Sequence, residues 1–186
     1  MDITDNDWTV DDKLYLGTYD PWSIRLQALV KWLDAPVQTK DNSLYAKLWV
    51  PDVIPSLTGK QLLLQDPEII ERYIYERYPG RPLLPQDVKT RAQCFQLAKE
   101  FSNLYELNYP SQLMWVNQNF EKRGRFILGD EPSLVDLSAF PIFDAIRLRI
   151  YESATQELLQ LNKIIRQYTY NVTREFIPEV YEKEAV

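Results

Sequence analysis

Residues 53–79 read VIPSLTGKQLLLQDPEIIERYIYERYP, and each boundary inside this stretch carries its own chemical signal. Val53 and Ile54 are β-formers, and Pro55 interrupts them. Proline removes a ladder hydrogen bond, so within sheets it is confined to edges and special bends. Ile54-Pro55 is a candidate cis peptide, a geometry nearly restricted to X-Pro bonds. Thr58-Gly59-Lys60-Gln61 supplies a turn in which Gly59 can take positive φ. Leu62-Leu63-Leu64 is short and wholly apolar, the pattern of a strand buried on both faces. Asp66 can cap a helix whose first residue is Pro67, where a missing N–H costs nothing. Ile69, Ile70, Tyr73, Ile74 and Tyr78 follow at helical spacing, with Glu71, Arg72, Glu76 and Arg77 between them. The stretch predicts strand, turn, strand, helix.

Upstream, residues 1–12 carry five aspartates and little periodicity, which predicts a loose acidic tail. Leu14-Tyr15-Leu16 is a first strand, closed by Gly17-Thr18. A helix follows from about Trp22, with Pro21 just inside its start and Leu26, Leu29, Val30 and Leu33 on the same face as Trp22. Asp34-Ala35-Pro36 ends it and leads to a second strand near Val37-Gln38-Thr39. A helical crossover between two strands implies a parallel pair. Residues 43–49 read as a short, weak helix.

Downstream, Tyr78-Pro79-Gly80-Arg81-Pro82-Leu83-Leu84-Pro85 holds three prolines and a glycine, which no helix continues through. Helical periodicity then takes over. Residues 87–107 place Val88, Ala92, Phe95, Ala98, Phe101, Leu104 and Tyr105 on one stripe. Asn108-Tyr109-Pro110 breaks this helix, and residues 111–123 make another that ends at Gly124. Ser133-Leu134-Val135-Asp136 resembles a capping box and opens a strongly apolar helix, with Pro141 inside it. Helices over 155–170 and 173–183 complete the chain. The expected boundaries are a tail over 1–12, an α/β domain over 13–79, a linker over 80–86 and an all-α domain over 87–186.

The composition excludes several classes of chemistry. A net charge of −6 and a pI near 4.8 argue against a nucleic-acid-binding surface. No apolar run approaches a membrane span, and the polar N-terminus is unlike a signal peptide, so a cytoplasmic protein is expected. The single cysteine, Cys94, suits a reducing compartment and reads as a buried thiol. The count of histidines is zero, which rules out an ordinary zinc site and every Ser-His or Cys-His catalytic arrangement. No metal is expected. Arg25, on the first helix, reads as one half of a structural ion pair or as a reach toward an anion.

Val-x-Pro-x-Leu, a turn, an apolar strand, an acidic residue and an Ile-x-x-Tyr-Ile-x-x-x-Tyr-Pro helix together resemble the glutathione transferase superfamily. The resemblance implies a thioredoxin-like α/β domain followed by an all-α domain, and extends to Leu128-Gly129-Asp130-Glu131-Pro132-Ser133-Leu134-Val135-Asp136 near the start of the central C-terminal helix. It implies glutathione as co-substrate and a homodimer. Backbone groups of Ile54, beside Pro55, would pair with the glutathione backbone, Asp66 would meet its ammonium group, and Trp22 would lie near the site.

Thr18-Tyr19-Asp20-Pro21-Trp22-Ser23-Ile24-Arg25 is similar to the family segment in which a serine or cysteine faces the glutathione sulfur. Asp20 stands in that place here, where a carboxylate raises a thiol's pKa instead of lowering it. Ser23 and Tyr19 are the substitute catalytic donors, and Tyr15 is a further one. The plainer reading of Asp20 is an N-cap for the helix that begins at Pro21. Pro67 falls where the family has a serine, so it brings neither the hydroxyl nor the N–H that would grip a carboxylate. Tyr105, Tyr109 and Trp115 either line an apolar second-substrate pocket or belong to the core. The resemblance therefore implies a transferase-like protein with a degenerate glutathione site. Its alternatives are a silent member acting by protein contact, similar to the starvation-protein and elongation-factor-gamma branches, or a carrier of a small apolar ligand.

Overall fold

The computed structural model describes residues 12–17, 20–41, 55–59, 62–78, 80–120, 123–149 and 156–176. The chain divides into two units, Met1–Tyr78 and Pro79–Val186. The first holds β1 (Lys13–Leu16), α1 (Pro21–Trp32), β2 (Gln38–Asp41), β3 (Ser56–Gly59), β4 (Leu62–Leu64) and α2 (Pro67–Arg77). Its sheet order is β2-β1-β3-β4. β1 pairs parallel to β2 across the α1 crossover and antiparallel to β3, with Leu14 opposite Leu57. β4 pairs antiparallel to β3 and so runs parallel to β1. Leu14, Leu26, Leu29, Leu57, Ile70 and Ile74 are fully buried and form the core. Each such side chain contributes about 1.5–3 kcal/mol by leaving water.

α1 ends in a Schellman arrangement. The N–H of Ala35 donates to Val30 O at 2.9 Å and that of Asp34 to Lys31 O at 3.1 Å. Asp34 occupies the left-handed position, φ 48°, that glycine usually fills.

Three expectations for this unit need correction. β4 is an edge strand, and Leu63 is 61% exposed, so its apolar run does not mean burial on both faces. Gly59 does not take positive φ; its requirement is close approach, since a Cβ there would meet Asp12 Oδ1 at 2.7 Å. Asp12, the last residue of the expected tail, is buried. Its Oδ2 accepts from the hydroxyls of Tyr78 at 2.6 Å and Tyr73 at 3.0 Å, and lies 3.1 Å from Arg77 Nε. Burial first and the Asp12 carboxylate second push the Tyr73 phenol up to about 12.

The second unit comprises α3 (Val88–Leu104), α4 (Tyr109–Asn119), α5 (Leu134–Arg149) and α6 (Gln156–Phe176). α5 packs against α3 and α6. Its node is Asp136, fully buried at the start of α5. Oδ2 accepts from the Ser133 N–H at 2.8 Å and hydroxyl at 2.7 Å. Oδ1 accepts from the Ile127 N–H at 2.9 Å and the Tyr168 hydroxyl at 2.8 Å. Burial still pushes the Asp136 carboxyl up, because those bonds only partly offset its removal from water. Beside it, Phe120, Phe143 and Tyr168 form an aromatic cluster with centroids 4.6–5.6 Å apart.

Here too the structure moves some expectations. The buried face of α3 is Cys94, Ala98, Phe101 and Leu104, whereas Val88 and Phe95 are 69% and 51% exposed. Burial pushes the Cys94 thiol up, away from the thiolate. α4 starts ahead of Pro110, capped by Asn108, and stops at Asn119 instead of running on to Arg123. Helix α6 continues unbroken through residues 171–173, because Tyr168, Val172 and Phe176 keep one buried stripe. The remainder of the helix expected over 173–183 lies outside the described residues, as does that over 43–49. Leu83, within the expected linker, is 1% exposed, and its carbonyl accepts from the Leu134 N–H at 3.0 Å. Among the described residues, no helix is long and apolar enough to cross a membrane, and no group of His, Cys, Asp and Glu could hold a metal ion.

Candidate functional site

The strand directions of the first unit bring several chain ends to one edge of its sheet. β1 and β4 end there, α1 and α2 begin there, and β3 starts there, with Ser56 opposite Tyr15. Ligands of open α/β sheets bind beyond the carboxyl ends of parallel strands, which is this edge. Both helices open with the dipeptide Asp-Pro. In each the aspartate is the N-cap and the proline holds the first helical position.

At α1, Asp20 Oδ2 accepts from the Ser23 N–H and from the Ser23 hydroxyl, each at 2.7 Å. Ser23 Oγ in turn accepts from the Gly17 N–H at 2.8 Å. Ser23 is 2% exposed. A serine has one hydroxyl proton. That proton points at Asp20, so in this arrangement Ser23 has none to offer a thiolate. Asp20 acts as a cap, one of the two roles its position suggested.

At α2, Asp66 is exposed, and its Oδ1 accepts from the N–H groups of Glu68 at 2.9 Å and Ile69 at 3.0 Å. These are the amides that would otherwise present a helix's anion site, and the aspartate of the chain already occupies them. Pro67 adds no donor. The helix N-terminus thus faces its own carboxylate.

One turn further along, Arg25 and Glu71 join the two helices. Nε of Arg25 meets Oε1 of Glu71 at 2.6 Å and Nη2 meets Oε2 at 2.7 Å, a two-bond fork between side chains 3% and 12% exposed. Burial pushes the Glu71 carboxyl up, and the Arg25 charge pulls against that shift. The guanidinium carbon also lies 4.7 Å from the Trp22 ring centroid, within cation–π range. Of the two readings open for Arg25, the structural ion pair is the one found.

Pro55 is buried just ahead of β3, at the same edge. Tyr19 and Ile54 lie outside the described residues. The three aromatic residues expected near a second substrate all sit in the second unit. The Tyr105 hydroxyl donates to Ser138 O at 2.6 Å, Trp115 meets Phe101 edge-on at 5.3 Å, and Tyr109 opens α4 half-buried. Tyr105 and Trp115 therefore make core contacts within their own unit.

Sequence reading missed two participants, Gly17 and Glu71. Gly17 contributes only a backbone N–H, which no side-chain pattern reports. Glu71 had a signal: Asp20-Pro21 is followed by Arg25 at the same spacing at which Asp66-Pro67 is followed by Glu71.

No family model matches the chain. A glutathione S-transferase 1 of Dianthus caryophyllus is 27% identical over an alignment covering 64% of this chain and 69% of that protein. A zeta-class glutathione S-transferase of Euphorbia esula is 29% identical, covering 61% of this chain and 63% of that protein. Among solved structures, poplar glutathione transferase F1 superposes with a TM-score of 0.63 at 18% identity, covering 94% of this chain and 98% of that one. A maleylacetoacetate isomerase of Anaeromyxobacter dehalogenans, solved with glutathione in its active site, gives 0.62 at 18% identity, covering 87% and 90%. At these identities the structural matches speak for the fold.

Proposed function

We propose that this chain, similar in sequence to glutathione S-transferases, is a member of that superfamily and binds glutathione at the edge where α1 and α2 begin, without activating the thiol as a conjugating member does. The observation that carries this reading is the Asp20–Ser23 pair. A thiolate needs a donor facing it and no anion beside it. Asp20 stands where the superfamily pattern has its hydroxyl or thiol, and the nearby Ser23 hydroxyl donates to Asp20 itself. Glutathione bound here meets a carboxylate, which keeps its sulfur protonated and a poor nucleophile.

In this reading binding rests on backbone pairing beside Pro55, which the resemblance implies, and on the carboxylate of Asp66 for the γ-glutamyl ammonium. It is weakened by loss of the amide grip at α2, where Glu68 and Ile69 are held by Asp66. Calorimetric titration with reduced glutathione near neutral pH, run alongside a conjugation assay with an electrophilic aromatic substrate, tests the reading. The expected result is a Kd near 1 mM, about 4 kcal/mol of binding, with conjugation no faster than the uncatalysed reaction. Enzyme-like conjugation would overturn the inactive-thiol part. Absence of heat and of thermal stabilisation at about tenfold that concentration would overturn glutathione as the ligand.

A homodimer accompanies this reading. Leu63 on the edge strand and Ile69 on α2 are 61% and 54% exposed in a single chain, and a second copy is the partner that superfamily membership suggests. Light scattering after size exclusion distinguishes about 44 kDa from the 22.0 kDa chain.

A further inference from the structure

The two helices of the candidate site are built to the same plan. α1 reads Asp20-Pro21-x-x-x-Arg25 and α2 reads Asp66-Pro67-x-x-x-Glu71. Each aspartate is the N-cap, and each ion-pair partner stands five residues beyond it. At a rise of about 1.5 Å per residue, both partners lie about 7.5 Å along the axis from their caps. The helices run in the same direction, since each returns from a strand pointing the same way, and they pack against each other. A fork between equal heights of two parallel helices holds their first turns level.

We propose that Arg25 is the positioning residue of the site: through its two-bond fork with Glu71 it sets the axial register of the α1 and α2 N-termini, and thereby the spacing of the groups that contact glutathione. Helix packing by apolar side chains alone tolerates sliding, because ridges of aliphatic groups offer several near-equivalent fits. A planar guanidinium bonded through both Nε and Nη2 does not, because an axial slip of about 1.5 Å breaks both bonds at once. Lysine offers a point charge without this directional constraint. The Trp22 ring under the guanidinium adds a third point of attachment, within the first turn of α1. Arg25 thus acts through the backbone ends on either side of it, not by touching the ligand.

This inference rests on the glutathione reading for its functional readout, and a second measurement separates the two. Arg25→Lys, Glu71→Gln and the exchange Arg25→Glu/Glu71→Arg are compared with the wild type by thermal unfolding, glutathione calorimetry and amide spectra. Expected are folded single variants whose glutathione affinity falls about tenfold, with displaced amide signals for Ser23, Glu68 and Ile69. The exchanged pair restores affinity to within about threefold of the wild type. Variants that unfold at lower temperature yet bind glutathione as the wild type does would overturn the proposal, leaving the pair a purely stabilising contact. A folded exchange variant that restores neither affinity nor amide signals would overturn it too. Should the wild type itself bind no glutathione, the functional reading falls on its own. The register claim is then decided by the amide signals: unmoved signals in Glu71→Gln refute it, displaced ones uphold it.

Discussion

Replacing Asp20 by serine tests the proposal that the carboxylate at the start of α1 holds a bound glutathione thiol inactive. The structural cost is small and can be counted. Asp20 accepts two bonds, from the N–H and the hydroxyl of Ser23. Serine is as good an N-cap as aspartate and keeps the first bond, so the loss is at most about 1 kcal/mol. The gain concerns the ligand. A carboxylate about 4 Å from the sulfur, at an effective dielectric near 20, disfavours the thiolate by about 4 kcal/mol, or about three pKa units. Removing it also frees the Ser23 proton, whose acceptor is gone, to turn toward the sulfur. The ultraviolet absorbance of the thiolate, followed against pH with the variant saturated in glutathione, measures this directly. The expected result is a bound-thiol pKa lowered by about two to three units relative to the wild-type complex. A parallel rise in conjugation rate is expected. A folded, glutathione-binding Asp20→Ser protein whose thiol pKa is unchanged would refute the reasoning, because the carboxylate would then not face the sulfur.

Two further outcomes follow from buried groups elsewhere. Asp136→Ala removes an acceptor from the Ile127 and Ser133 N–H groups and from the Ser133 and Tyr168 hydroxyls. Denaturant unfolding should show a loss of about 3–5 kcal/mol, because each stranded buried donor costs about 1–3 kcal/mol; a loss under about 1 kcal/mol would contradict the network. Tyr73, pushed up to about 12, should titrate late in a difference spectrum against Tyr73→Phe. A raised pKa in the folded state means stability present in full below the ordinary tyrosine value near 10 and lost as pH rises through about 12. Asp12→Asn should bring the Tyr73 midpoint back down, and a wild-type midpoint near 10 would remove Asp12 from its neighbourhood.

Helix starts were legible because capping is local. Asp20-Pro21, Asp66-Pro67 and Ser133 with Asp136 each state their role within four residues, and all three open a helix. Helix faces were less so. The stripe Val88-Ala92-Phe95 is as regular as the one actually buried, and only the packing of α5 against the other side of α3 decides between them. The burial of Leu63 failed in the same way, since an apolar triplet does not say whether another strand lies beyond it. Long-range polar contacts left no trace in local pattern: Asp12 meets Tyr73 and Tyr78 across 61 and 66 residues. The ion pair at the site was half legible. Arg25 was read as one half of an ion pair or as a reach toward an anion, but its partner was fixed by the juxtaposition of two helices 46 residues apart.

The same placement also accounts for an aspartate at both helix starts, although the resemblance expects a donor at position 20 and an acid only at position 66. Two helices starting side by side and pointing the same way bring two positive dipole ends together, each worth roughly half an elementary charge. Left bare, those ends repel, and their first N–H groups need partners. Asp20 and Asp66 answer both demands within their own turns, each stabilising its helix by about 1 kcal/mol. Every amide they bond is one a ligand carboxylate would otherwise take. Stability of the isolated chain and affinity for an anionic peptide are therefore opposed at the same atoms. A serine at position 20 would cap α1 about as well and take the negative charge away from the ligand. This chain carries the charge instead, which makes Asp20, and not the core beneath it, the position at which the proposed glutathione reading is most directly tested.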